Sequence, residues 1–330
     1  MADSPILRIG TLGAAAITPD ALVKPARAVA RAELVAVAAR DRDRARAFAD
    51  KQDIPTVHSS YEELLADPDV DAVYNPLPNS LHAEWTIAAL EAGKHVLCEK
   101  PFTNNADEAR RVAAVAERTG LVVMEAFHYR YHPLMGRAVE IARSGELGEL
   151  RFVEAWMQVP LFKRSDIRFE LDLGGGAQMD LGAYTTHQVR TLLGIEPTIT
   201  AAHAKERSPG VDRWMHAEMA FPGGAVGRTT VSLYGGVPVR LGFHLVGSKG
   251  VLKVMNPTLP SIYSRFTVKV GGHKRRESFP RTPTYTYQLE AFTAAVLDGA
   301  PVLTPLSDSI ANMEAIDAIY SAAGLRPRGT

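Results

Sequence analysis

Cysteine is almost absent: Cys98 stands alone among 330 residues, which excludes an internal disulfide and any zinc site made of clustered thiolates. Neither sign of charge is in excess. The 37 Lys and Arg balance 37 Asp and Glu, so no basic field favours nucleic acid or an anionic membrane. Long hydrophobic runs are missing as well, none approaching the roughly 18–20 residues of a membrane span. The opening Met1-Ala2-Asp3-Ser4-Pro5 lacks the basic stretch and apolar core of a secretory signal. No grouping of His with carboxylates has metal-ligand spacing. The expectation is a cytoplasmic protein with no membrane, nucleic-acid or metal partner.

What is present suits a globular chain of two domains, with 46% hydrophobic and 22% charged residues. The first half alternates strand and helix. Ile6–Leu12 reads as a strand, then comes a turn of small residues, Gly13-Ala14-Ala15-Ala16-Ile17, and a helical run from Pro19. So lean a turn lets backbone approach a pyrophosphate at a helix amino terminus, although only Gly13 matches G-x-G-x-x-G, with Ala15 and Thr18 in the other glycine places. The next strand, Glu33–Ala39, leads into Arg40-Asp41-Arg42. An NAD-specific site puts an acid there for the ribose 2′-hydroxyl, whereas Arg40 suits a 2′-phosphate. Asp41 then serves as the cap of the following helix. NADP(H) is the expected cofactor, with NAD(H) also admitted.

Further strands are expected near Thr56-Val57 and at Asp71–Tyr74, with a helix at Tyr61–Ala66 between them. Asn75-Pro76-Leu77-Pro78-Asn79-Ser80-Leu81-His82 makes a rigid loop at a strand's carboxyl end. It is either a plain turn or the wall of a cofactor groove, in which case Asn75, Pro76, Leu77, Asn79 and His82 line it. The run His95–Cys98 ends in Glu99-Lys100-Pro101, placing a carboxylate and an ammonium at the rim where open α/β sheets bind ligands. Pro101 biases Lys100 away from the helical region and admits a fixed, even cis, bond. A surface ion pair and a catalytic lysine are the two readings. A helix at Asn105–Thr119 and a strand at Leu121–Met124 complete a doubly wound parallel sheet, so residues 1–125 are the expected dinucleotide-binding domain.

Residues 126–330 form the expected substrate-binding and oligomerisation domain, its last helices free to pack back on the first. A helix at Pro133–Ser144 precedes a strand at Glu149–Gln158 with Phe152 and Trp156 on one side. After a charged loop, Phe162–Glu170, come three glycines, Gly174–Gly176, either a linker or backbone that faces a ligand. The helix beyond carries Asp180, Tyr184 and His187 at i, i+4 and i+7, on one face. Polar groups on so apolar a helix need partners; they are a satisfied hydrogen-bond cluster or an acid–base group held by its neighbours. From Pro197 to Phe279, strands broken by glycine turns, among them Pro222-Gly-Gly224, Gly235-Gly236 and Gly271-Gly272, indicate an antiparallel sheet. One face packs on helices; the other is a natural surface for a homodimer or homotetramer. Helices at Tyr285–Leu297 and Ser307–Ala323 follow.

In order, Gly13-Ala-Ala-Ala-Ile, Asn75–His82, Glu99-Lys-Pro101 and Met124-Glu-Ala-Phe-His-Tyr-Arg-Tyr-His-Pro133 resemble the glucose–fructose oxidoreductase / inositol dehydrogenase (Gfo/Idh/MocA) family. The likeness is nearest to its dihydrodiol and NADP-dependent D-xylose dehydrogenase branch. It implies an α/β fold: a Rossmann domain, then an α+β domain with a large, mostly antiparallel sheet. It also implies that Lys100 sits beside nicotinamide and substrate. Asp180-Leu-Gly-Ala-Tyr184 has tyrosine where the inositol branch has the histidine of Asp-x-Gly-x-His, and the dihydrodiol and sugar branch uses that tyrosine as acid–base. The implied activity is hydride transfer between NADP(H) and a hydroxyl or carbonyl carbon of a sugar, polyol or dihydrodiol. Tyr184 is then the acid–base assisted by Lys100, and Asp180 accepts a substrate hydroxyl or orients Tyr184. Glu99 positions Lys100 or binds the nicotinamide-side ribose; Arg130, Arg168 and His187 are expected substrate contacts. The rivals are a non-catalytic dinucleotide sensor and a reductase of nucleotide or anhydro sugars.

Overall fold

The structure, a computed structural model, describes residues 5–163, 165–234 and 238–330; the expected Gly235-Gly236 turn lies outside them. The described chain forms two compact units whose segments interleave. Unit 1 contains the residues up to Thr103, Asp107–His128 and Tyr285–Ser309; unit 2 contains Asn104–Ala106, Tyr129–Thr284 and Ile310–Thr330.

Six parallel strands build the sheet of unit 1: β1 (Leu7–Leu12), β2 (Ala32–Ala38), β3 (Thr56–His58), β4 (Ala72–Asn75), β5 (His95–Cys98) and β6 (Val123–Glu125). Their order is β3-β2-β1-β4-β5-β6, so the chain reverses its direction of winding between β1 and β4. The strands are short apolar runs because both faces of the sheet are covered. Leu7, Ile9, Val73, Val96 and Leu97 are fully buried. The covering helices include α1 (Lys24–Ala28), α2 (Arg42–Gln52), α3 (Tyr61–Ala66), α4 (His82–Glu91) and α5 (Ala106–Thr119). Asp41 caps α2, its carboxylate accepting the N–H groups of Asp43 and Arg44; Ser60 does the same for Glu63 on α3. Before α1 the chain makes one wide π-type turn at Pro19–Val23, a departure that apolar periodicity does not reveal.

In unit 2, α6 (Pro133–Arg143) and α7 (Ala183–Leu193) pack together. The sheet consists of β7 (Leu150–Gln158), β8 (Thr198–Ser208), β9 (Val211–Ala220), β10 (Val226–Ser232), β11 (Arg240–Gly247), β12 (Gly250–Met255), β13 (Arg265–Val270) and β14 (His273–Glu277). Its order is β14-β13-β12-β11-β7-β10-β9-β8. Every pairing is antiparallel except β7 with β10. The period of two is plain on β7, where Val153 and Ala155 are buried under α7 while Phe152, Glu154 and Trp156 stay half-exposed on the other face. That second face carries aromatic rings and cations in alternation. His244 lies against Phe152 and Trp156, and Arg240 and Arg228 stack on the same two rings. Two helices complete the chain, α8 (Thr284–Asp298) and α9 (Leu306–Ala322).

Candidate active site

Open parallel sheets place ligands at the carboxyl ends of the strands, beside the point where strand order reverses. In unit 1 that point is the end of β1 and β4, and four of the expected segments meet there. Gly13 has a φ of +92°, a conformation that disfavours a side chain, and a Cβ on it would come within 3.2 Å of Leu77. The small-residue turn and the Asn75–His82 loop are thus packed against each other. The loop is in turn tied to the Lys100 segment: the His82 ring has Nδ1 2.8 Å from the Pro101 carbonyl and Nε2 2.7 Å from that of Leu77. A neutral imidazole has one N–H to donate and so satisfies one of these carbonyls. Burial pushes the His82 pKa down to about 4; the two carbonyls pull against this and the Lys100 charge adds to it.

His82 and Asn75 are both buried at this end of the sheet. Asn75 is fully buried, donating to the His82 carbonyl and the Thr86 hydroxyl. Lys100 follows a buried strand and precedes Pro101 through a cis bond. Glu99, for which the sequence leaves two roles, accepts a 2.6 Å hydrogen bond from the Tyr74 hydroxyl and the backbone N–H of Lys100. Tyr74, on β4, is invisible as a functional residue in the sequence because it falls in a buried apolar strand. His128 is buried as well and stacks on Tyr285, ring centroids 4.1 Å apart.

At the end of β2, Arg40 is exposed. A second arginine joins it. Arg44, one turn into α2, donates to the Ala14 carbonyl at 2.8 Å and so lies against the Gly13 turn. The signal for it was the i, i+4 spacing from Arg40 across a capped helix start. A turn of small residues with the Arg44 guanidinium against it, and Arg40 exposed at the end of the next strand, fits the phosphates of a dinucleotide in charge.

In unit 2 the expected triplet is together on one helix, with differing surroundings. The helix opens with a π-type turn at Gln178–Gly182 before α7 begins, and such turns recur at functional sites. Asp180, in that turn, pairs with Arg168 (Nε to Oδ2, 2.9 Å), and Asp166 holds the same guanidinium at 3.1 Å. The Asp180 charge, first of all, raises the Arg168 pKa. Tyr184 is buried, 6% exposed, with the Tyr129 ring 5.9 Å away. His187 is fully buried, its Nδ1 2.5 Å from the Tyr129 hydroxyl. Tyr129 was missed as a partner although it lies inside a quoted motif. Arg130, beside it, is half-buried on the single turn His128–Tyr131. His132 accepts the Leu134 N–H at the start of α6 through Nδ1, and its Nε2 lies 3.1 Å from the Pro280 carbonyl. Among the described residues no group of His, Cys, Asp and Glu is arranged to hold a metal, and no helix is long and apolar enough to cross a membrane.

Comparison with known proteins gives this arrangement its relatives. Residues 7–127 match the oxidoreductase family with an NAD-binding Rossmann fold, and residues 135–253 match the GFO/IDH/MocA C-terminal domain. The D-xylose 1-dehydrogenase (NADP(+)) 2 of Haloferax volcanii is 39% identical over 96% of this chain and 97% of its own. A dTDP-3,4-didehydro-2,6-dideoxy-alpha-D-glucose 3-reductase of Actinomadura kijaniata is 32% identical over 96% of each chain. A solved 3-ketoreductase from the same organism, in complex with NADP and TDP-benzene, superposes with a TM-score of 0.90 at 31% identity, covering 97% of this chain and 98% of that one. With family models matching most of the chain and relatives aligned nearly end to end, the chain belongs to the Gfo/Idh/MocA family of NAD(P)-dependent oxidoreductases.

Proposed function

We propose that this protein is an NADP(H)-dependent dehydrogenase or reductase of a sugar or related polyol, with Tyr184 as its acid–base group and Lys100 assisting. The observation that carries the reading is Tyr184 itself. It is a buried phenol on the same helical segment as Asp180, which pairs with Arg168, and His187, which bonds Tyr129.

NADP(H), when bound, supplies the hydride carrier; Gly13, Ala14, Ala15, Ala16, Ile17, Arg40 and Arg44, with Pro76, Leu77 and Asn79, are the residues that would hold it. In oxidation the substrate hydroxyl gives its proton to the Tyr184 phenolate oxygen as the carbon loses hydride, and in reduction the phenol returns it. A free phenol titrates near 10, and a positive charge favours the phenolate, which is the part given to Lys100. Asp180, Arg168 and Arg130 bind hydroxyls, while His187, through Tyr129, steadies the helix or passes the proton on. Proton transfer of this kind contributes about 10²–10⁴-fold.

The experiment is steady-state reduction of NADP⁺ and of NAD⁺ with aldoses, inositols, dihydrodiols and dTDP-sugars, for wild type and Tyr184→Phe. Turnover that favours NADP⁺ and collapses in Tyr184→Phe, while NADPH still binds, is the expected result. Wild-type turnover in Tyr184→Phe removes the tyrosine from the chemistry. Tight NADPH binding with silence across the panel favours a dinucleotide sensor. The relatives include both a D-xylose dehydrogenase and dTDP-sugar reductases, so the panel also decides between a free sugar and a nucleotide-linked one. The half-exposed aromatic face of the unit 2 sheet is the proposed contact for a second copy, checked by light scattering, where a monomer at micromolar concentration refutes it.

A further inference from the structure

Asp212 lies at the start of β9, outside the triplet, and is fully buried. Its carboxylate is not left to the sheet. Oδ2 accepts the backbone N–H of Gln178 at 2.7 Å; Oδ1 accepts the Tyr320 hydroxyl at 2.8 Å and Arg328 Nη2 at 2.9 Å. Arg328 is buried too, stacks on the Tyr320 ring, and gives its Nε–H to the Gly175 carbonyl at 2.7 Å. Gly176, at φ +137°, passes so close that a Cβ there would collide with Asp212 Oδ1, Arg328 Nη2 and the Tyr320 hydroxyl.

The glycine turn held in this way is the hub of the site's backbone. Gly175 N–H donates to the Glu170 carbonyl and Gly176 N–H to the Arg168 carbonyl, while the Gly176 carbonyl accepts Asp180 N–H, at 2.9, 2.9 and 3.0 Å. Arg168 and Asp180, which pair through their side chains, are therefore also spaced by this one turn. A buried ion pair adds little net stability because its desolvation offsets the attraction, and its best-attested use is to select one arrangement among near-equals. Here the pair reaches the first turn of the Tyr184 helix and the turn carrying Arg168 through backbone atoms alone.

We propose that Asp212, Arg328 and Tyr320 are positioning residues: a buried clamp on Gly175–Gln178 that sets where Arg168, Asp180 and Tyr184 present their polar atoms. The proposal rests on the assignment of Tyr184 as acid–base group. It explains why Gly175 and Gly176 are glycines, since the clamp occupies the space of a Cβ on Gly176 and Gly175 lies against the Arg168 and Glu170 carbonyls. It also gives Arg328, 116 residues from its carboxylate partner, a task in catalysis without touching substrate.

The test uses the full chain with the best substrate of the panel, comparing wild type, Arg328→Ala, Tyr320→Phe and Tyr184→Phe. Small displacements of catalytic groups are costly, so kcat for Arg328→Ala should fall at least about tenfold. NADPH affinity, a property of unit 1, should stay within about twofold, and added guanidinium should restore part of kcat in Arg328→Ala but none in Tyr184→Phe. Tyr320→Phe keeps the ring under Arg328 and removes one hydrogen bond; its kcat should fall about threefold or more, which keeps the idea testable if Arg328→Ala does not fold. Wild-type kcat and KM in Tyr320→Phe, or in a folded Arg328→Ala, overturn the clamp, as does a loss of kcat that guanidinium leaves untouched. An active Tyr184→Phe instead refutes the acid–base assignment, so the two failures are distinguishable.

Discussion

Acid should loosen unit 1 through one identifiable ring. His128 is buried against Tyr285, and burial, with the Lys100 charge in second place, pushes its pKa from 6.5 down to about 3. A base whose folded pKa is depressed takes its proton more readily in the unfolded chain. Its contribution to stability is therefore complete above about 6.5 and is lost as pH falls from there toward 3. At pH 5 the unfolded ring is one and a half units below its midpoint and the folded ring is still neutral. At about 1.4 kcal/mol per unit, the loss is about 2 kcal/mol. For a unit of this size that is a fall in Tm of about 4–8 °C. The perturbation is His128→Gln, which keeps polarity and bulk without titrating. Chemical denaturation of both proteins at pH 7.5 and pH 5.0 gives the comparison, since His82, His95 and His132, all depressed by burial, titrate in both and drop out of the difference. Wild type should lose about 2 kcal/mol more than His128→Gln over that interval. Equal losses would refute a buried neutral ring at this position.

Two further outcomes follow from geometry already described. Arg44→Ala should weaken NADPH about 10–100-fold and NADH much less, because a charge-assisted bond to phosphate contributes about 1.5–3 kcal/mol; equal weakening by fluorescence titration would remove Arg44 from the 2′-phosphate site. Gly176→Ala puts a Cβ into the Asp212 clamp in a backbone region that disfavours side chains, so unfolding free energy should drop by at least about 3 kcal/mol, and an unchanged Tm would contradict the packing.

The sheets and most helices were legible because they are written locally. Tyr61–Ala66 was placed to the residue, and the end of β5 by the change from apolar to charged residues. The candidate site was half legible for the same reason. Lys100 is marked by the proline that follows it, and the Asp180, Tyr184 and His187 face by helical spacing. What the sequence hides is partnership across distance. Nothing local tells Asp212 that it will meet Arg328, or Tyr129 that its hydroxyl will meet His187. The two π-type turns are hidden for another reason: they add one residue to a turn without disturbing the apolar pattern around it. His82 was expected as part of a loop lining a cofactor groove; its ring is buried, with Nδ1 and Nε2 2.8 and 2.7 Å from two backbone carbonyls, a pairing the sequence does not reveal.

The interleaving of the two units has a consequence for how the chain is made. Unit 1 needs Tyr285 to cover His128, Asp298 to meet Arg31 in a two-pronged ion pair, and Thr304 to bond the Glu125 carbonyl at the end of β6. A ribosome delivers those residues only after the whole β7–β14 sheet has been synthesised. The dinucleotide-binding half, first to emerge, is thus among the last to be finished, and a fragment cut after β6 to make a minimal NADP-binding module would carry an unroofed edge into solution.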